Sequence, residues 1–411
     1  MTSFLIFVVG LILAHGVNWA TFRLAYFPLN IGPWGKAPDG CATRTWFDAI
    51  PWLGWYRLRR ESHVHGRRFW VGPFLIELIF PIALLGLYAY EMRGGLLAQD
   101  AIQLVRPQTL WIQFLAHASL ITFLLIATCI DLNERCIPDT ITLPGTFLAL
   151  LGAAFFADWH LIAMEPSAIG LVVSKLHSAS PSPWNPSWNG PAGLQWALLS
   201  FSIWCFALAD RRWITRRGWK KAWIYFLAGL TRHWTWKLLV GIWLVGCVAI
   251  VLAHGTLPVV QWQNLLSSLI GMPLGCSVVW FIRIVARWAM GREAMGFGDV
   301  TLMAMVGAYL GWQPAWLAFF VAPVLAILIV LIVWLVTGDP STPFGPYLAA
   351  GTVIILLGWN MVWNQWAVPR IEVFGGTLLV WGFLSFLVLL GGTLWGWLQV
   401  KRMLLQRWEE R

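Results

Sequence analysis

Two aspartates, each beside a turn marked by glycine or proline, are the residues of this chain best suited to chemistry. Asp299 ends the stretch Gly296-Phe297-Gly298-Asp299, which lies between two long apolar runs. A bare backbone and an ionisable group where hydrocarbon begins are both costly unless something uses them. Asp299 can also be read as the cap of a helix beginning at Val300, accepting from its free N–H groups. Asp131 opens the run Asp131-Leu132-Asn133-Glu134-Arg135-Cys136-Ile137-Pro138-Asp139 at the end of another apolar stretch. Alone, it reads as a helix-end carboxylate paired with Arg135. Two carboxylates in one site cannot both ionise easily, so one is held protonated while the other stays charged. One can then activate water as a general base while the other protonates a carbonyl oxygen or leaving amine, which is peptide hydrolysis. Asp139, between Pro138 and Thr140, is expected to be the N-cap of the next helix, and Glu134 a solvated charge.

The elements that must position these groups are set by composition. Of 411 residues, 59% are hydrophobic and 11% charged, with 31 Trp and a mean hydropathy of +0.70. These values exclude a soluble domain and indicate an all-α polytopic integral membrane protein. The tryptophan excess suits interfacial belts, and the net charge of +10 fits cytoplasmic loops facing an anionic lipid bilayer. No RNA- or DNA-binding motif accompanies the basic residues, so no nucleic acid partner is expected. Six cysteines are scattered without a C-x-x-C pair and read as small apolar residues. The first apolar run, near Phe4 to Leu13, lacks a basic n-region and a clear cleavage site, and is expected to be a retained helix.

Apolar runs near the length needed to cross a bilayer, about 20 residues, fall near 3–23, 71–90, 109–130, 140–157, 191–209, 236–256, 264–287, 300–316, 317–337, 346–364 and 374–398. These predict about eleven transmembrane helices, with the division near Gln313-Pro314 the weakest. The loops 24–70 and 210–235 and the tail after Lys401 are rich in Lys and Arg, whereas 158–190 is poor in them. The positive-inside rule puts the first three in the cytoplasm and the last outside. With an outside N-terminus and alternating crossings, Asp131 and Asp299 then reach the same, cytoplasmic, membrane face.

The run Asp131 to Pro144 (D-L-N-E-R-C-I-P-D-T-I-T-L-P), together with Gly291 to Trp312 (G-R-E-A-M-G-F-G-D-V-T-L-M-A-M-V-G-A-Y-L-G-W), resembles the type IV prepilin peptidases, the GxGD membrane aspartic proteases. Further similarity lies in Pro343-Phe344-Gly345-Pro346-Tyr347, in Asn18 and Arg23, and in Ile50 to Trp55 and Gly72 to Leu78. The resemblance implies Asp131 and Asp299 as the catalytic pair. It gives supporting places to Gly296, Gly298, Asp139, Glu293 and Arg135, and it puts Asn18, Arg23 and Glu77 in a substrate or methyl-transfer region. It also implies prepilin or pseudopilin substrates cut at the cytoplasmic face of the bacterial inner membrane. In many members S-adenosylmethionine then methylates the new N-terminus; proteolysis itself needs no cofactor.

The resemblance divides the chain into 1–98, a helix pair with its cytoplasmic loop; 99–158, the first aspartate helix pair; and 159–260, an inserted two-helix segment. After these come 261–365, the GxGD region, and 366–411, a C-terminal helix and basic tail. Many members carry two C-x-x-C pairs in the first loop, where this chain has Cys41 and Ser62-His63-Val64-His65-Gly66. Cys41, His63 and His65 offer three ligands with no fourth, so zinc is not expected, and the altered loop puts methyl transfer in question. The usual lysine two places after the second aspartate is Thr301. A rival reading is a transporter or assembly scaffold that uses the carboxylates for proton or ion binding, against which the chain shows no internal duplication.

Overall fold

The computed structural model describes residues 1–97, 105–167, 170–209, 234–290, 295–338, 342–374 and part of 381–399. Its architecture is an α-helical bundle of α1 (Thr2–Arg23), α2 (Val71–Met92), α3 (Pro107–Glu134), α4 (Asp139–Phe155), α5 (Pro191–Leu208), α6 (Trp234–Thr256), α7 (Val259–Met290), α8 (Phe297–Leu310), α9 (Trp312–Thr337) and α10 (Gly345–Leu357). Seven of these are long and apolar enough to cross a membrane. An eighth span results if α10 is joined to Asn360–Ile371, from which it is bent by 71°. The predicted span at 374–398 lies largely outside the described residues, as do the basic loop 210–233 and the tail.

Two predicted spans are shorter in the structure. The run predicted at 140–157 is the 17-residue α4, and the run predicted at 300–316 is the 14-residue α8. At 1.5 Å per residue α8 is only about 21 Å long, less than the roughly 30 Å of hydrocarbon. It compensates by burial, since every residue from Asp299 to Leu310 is inside the protein. The division expected near Gln313-Pro314 occurs at Gly311, whose φ of +96° turns the chain into α9. Helix α8 crosses α7 where Gly271 and Gly307 meet backbone to backbone, each so close that a Cβ on it would strike the other's carbonyl oxygen. Small residues at such a crossing let helices pack without any hydrophobic driving force from lipid.

The stretch 159–260 holds α5 and α6 and also an antiparallel hairpin, β1 (Ile162–Ser167) with β2 (Gly170–Lys175), in register Ile162 to Lys175. This hairpin is not legible in the sequence. The hairpin and the segment after it are fastened to the bundle through backbone carbonyls: the Trp359 indole N–H donates to Ile162 at 2.7 Å, and Trp312 donates to Ser178 at 2.9 Å. Part of the tryptophan excess thus serves as internal staples, whose N–H groups satisfy carbonyls that would otherwise lack a partner.

Between α1 and α2 the loop is held by charge. The Arg44 guanidinium grips Glu61 at 2.7 Å, and Arg57 and Arg60 bracket Asp48 at 2.9 and 2.8 Å. Burial works against ionisation of Asp48, but the Thr45 N–H and the two guanidiniums outweigh it and hold the carboxyl down at about 2.

Candidate active site

Helix α3 ends because Arg135 adopts the left-handed conformation (φ 56°, ψ 34°), its N–H closing on the Asp131 carbonyl at 2.8 Å. The chain then passes through Ile137-Pro138, and the proline's fixed φ leads into α4. The Asp131 side chain, 4% exposed, accepts a hydrogen bond at 3.0 Å from the backbone N–H of Gly345, the first residue of α10. A carboxylate there is favoured by the free N–H groups and the positive end of the helix dipole.

Asp299 is held in the same way by its own helix. α8 begins at Phe297 with Gly296 as its N-cap, which makes Asp299 the third helical residue and not a cap before Val300. Its carboxylate, 8% exposed, reaches back to the Gly296 N–H, as the third residue of a capping box does. The charges of Asp131 and Arg283 both bear on it, the latter from α7. Arg283 also lies over the Phe297 ring at 5.5 Å.

Asp131 and Asp299 open onto one cavity of about 840 Å³, which Arg135, Ile137, Asp139, Gly296 and Gly298 also line. A Cβ on Gly298 would meet the Ile137 carbonyl oxygen at 2.7 Å, so the glycine lets α8 lie against the turn that follows Asp131. Gly345 does the same from the other side. A Cβ on it would fall 2.5 Å from the Asp131 Oδ2 and 2.7 Å from Ile137 Cδ1. Apart from Tyr26, Cys136 and Thr342, the remaining walls are apolar and aromatic, with Ile282, Met295, Phe319, Phe320 and Phe344.

Several sequence expectations change here. Asp139 is not an N-cap: Pro138 holds that position, and no side-chain cap bond is made. Its carboxylate faces the cavity and the Thr301 hydroxyl, whose single proton is shared between that carboxylate and the Gly298 carbonyl 3.1 Å away. Thr301 thus ties Asp139 to the helix that carries Asp299. Glu134, only partly buried, is more than a solvated charge, since its two oxygens take the backbone N–H groups of Tyr26 and Phe27, each at 3.0 Å. Glu293 lies outside the described residues. Sequence reasoning missed Gly345 and Arg283 as neighbours of the aspartates; the Phe344-Gly345-Pro346 turn was the available signal for the first.

Asn18 and Glu77 lie in a separate cluster, and Arg23 is engaged elsewhere. Glu77 is fully buried. Its Oε1 takes His15 Nδ1 at 2.8 Å, Trp55 Nε1 at 3.0 Å and Asn18 Nδ2 at 3.2 Å, and its Oε2 takes the Trp52 N–H at 2.7 Å. Arg23 donates to Asn30 at 2.7 Å. Cys41 Sγ and His63 Nε2 approach to 3.6 Å, while His65 faces Glu61 at 3.6 Å. Among the described residues, no three His, Cys, Asp or Glu side chains are grouped to hold a metal ion.

Comparison with known proteins finds one family and several relatives. The type IV leader peptidase family matches residues 234–331, a stretch that holds α7, α8 and Asp299 but not Asp131. The prepilin leader peptidase/N-methyltransferase of Pseudomonas putida is 35% identical over 101 residues, 24% of this chain and 35% of that protein. Its namesake from Pectobacterium carotovorum subsp. carotovorum is 36% identical over 104 residues, 24% of this chain and 37% of that protein. The one from Aeromonas salmonicida is 32% identical over 130 residues, 28% of this chain and 44% of that protein. The chain therefore spans between a third and a half of the length of these relatives. No solved structure matches. The stretch that matches the type IV leader peptidase family thus carries Gly296-Phe297-Gly298-Asp299 at the head of a buried helix.

Proposed function

We propose that this protein is a membrane aspartic endopeptidase that removes the leader of prepilin-like or pseudopilin proteins at the cytoplasmic face of the bacterial inner membrane. The observation that carries the reading is the opening of Asp131 and Asp299 onto a single cavity, each carboxylate oriented by a helix N-terminal N–H. In the proposed reaction one aspartate is ionised and takes a proton from water as it attacks the scissile carbonyl. The other is protonated and donates to the carbonyl oxygen. The proton taken from water then passes to the leaving amine. Fixed backbone donors keep both acids in place without reorganisation during the reaction.

The deciding experiment is cleavage of a prepilin-like substrate by Asp131→Asn and Asp299→Asn. Each is expected to lose at least about 10³-fold in kcat, within the range general acid–base catalysis supplies, with normal protein level. Intact cleavage in both would overturn the reading. The transporter or scaffold alternative is disfavoured by the matched family and by the names of the relatives.

Methyl transfer to the new N-terminus, the second activity in the relatives' names, is a separate proposal. Glu77 and Asn18 are engaged with the loop and with each other, an arrangement that suits fastening the loop. No step involving S-adenosylmethionine is assigned to them. Mass analysis of the mature N-terminus after cleavage tests whether methylation occurs.

A further inference from the structure

The segment that leaves α1 is fastened to the turn between α3 and α4 at three points. The Thr140 hydroxyl donates to the Leu24 carbonyl at 3.0 Å, and the Tyr26 and Phe27 N–H groups each donate to Glu134 at 3.0 Å. With the backbone held, both aromatic side chains project outward, Tyr26 at 58% exposure and Phe27 at 75%. Tyr26 lines the same cavity as Asp131, Asp139 and Asp299. Of the two, only Tyr26 has its ring in the cavity wall, and a ring set there on an anchored backbone is placed to contact whatever enters the cavity.

We infer that Tyr26 is a substrate-contacting residue of the aspartate cavity, and that Glu134 is the positioning residue that holds it there. The occupant is the peptide segment that flanks the scissile bond, with its side chains and backbone against the tyrosine ring. The inference rests on the proteolytic reading and extends it, because it makes the N-terminal loop a wall of a site whose acids come from helices more than 100 positions later. Glu134 contributes geometry: its carboxylate is committed to two backbone donors, and a bidentate grip of this kind fixes direction as well as distance.

Two measurements on the full-length protein test this. In an Asp131→Asn background, Tyr26 is replaced by the photoreactive p-benzoylphenylalanine, the prepilin-like substrate is added and the sample is irradiated. A covalent adduct is expected at position 26 and not at Tyr56, an exposed tyrosine of the same loop region. In the otherwise wild-type enzyme, Tyr26→Ala and Glu134→Ala are each expected to raise KM by about tenfold with kcat little changed. The double variant should do no worse than the single ones, because both act through one ring. Failure of the wild type to cleave would count against the protease reading itself. Cleavage by the wild type with no adduct at position 26, or with KM unmoved in Tyr26→Ala, overturns this inference alone.

Discussion

Asp131 accepts the backbone N–H of Gly345 at 3.0 Å across a separation of 214 positions. The bond ties the end of α3 to the start of α10, and it needs a residue without a side chain. A Cβ at 345 would fall 2.5 Å from the carboxylate oxygen. Gly345→Ala is therefore expected to push Asp131 aside while leaving its chemistry intact. Displacement of a reacting group by about 1 Å can cost on the order of 10²-fold, so kcat per folded enzyme should fall by about that factor, and the clash of the same Cβ with Ile137 should lower detergent-solubilised stability as well. A kcat within twofold of wild type would show that the carboxylate tolerates the shift.

Glu77 offers a stability test of the N-terminal loop. Glu77→Gln keeps the shape but turns an N–H of the new amide toward donors on either side: His15, Asn18 and Trp55 on one, the Trp52 N–H on the other. Leaving a buried donor unsatisfied costs about 1–3 kcal/mol. The expected result is faster proteolytic nicking between residues 46 and 66 together with a lower Tm, read on the full-length protein.

Asp48 predicts a pH dependence for the same loop. Its carboxyl is held at about 2, below the ordinary value of 3.8. The folded form therefore gains stability above the ordinary value and loses it as pH falls toward 2. Hydrogen exchange of residues 45–60 should accelerate as pH is lowered from about 4 to about 2 relative to the intrinsic rate. In Asp48→Asn that relative acceleration should be absent and the loop less protected at neutral pH.

The crossing of α7 and α8 predicts a folding defect of a different kind. At Gly307 any side chain meets the Gly271 carbonyl, so Gly307→Val is expected to separate the two helices. Overpacking costs about 1–3 kcal/mol or more, and the fully buried α8 has no free side onto which to move. Reduced accumulation in membranes, reversed in part by growth at lower temperature, is the expected readout.

The two aspartates were legible because each stands where an apolar run meets a glycine or proline turn, a pattern local in sequence. The all-α membrane class followed from composition alone. What stayed hidden was pairing over distance. Glu134 sits among polar residues at a helix end and reads as solvated, because nothing near it announces the Tyr26 and Phe27 N–H groups more than 100 positions earlier. Asp139 follows a proline and reads as a cap. Its turn toward Thr301 depends on α8 packing against α4, which no window on either stretch contains. Length misled at α8 for a related reason: hydropathy records that residues 300–310 avoid water, and cannot distinguish lipid from protein as what surrounds them. The hairpin at 162–175 is hidden because its stretch lies in a region poor in Lys and Arg and rich in turn residues, which has the signature of an outside loop between spans.

Helix α8 has one more consequence. From Asp299 to Leu310 it presents nothing to solvent or to the described outer surface, so it behaves as a pin driven through the bundle with the acid at its head. Inhibitors that grip this head leave the chain few routes of escape, because a change along the shaft disturbs the seating of the acid itself. Resistance would have to arise in the less buried cavity walls, at residues such as Phe320 or Phe344, where there is still room to vary.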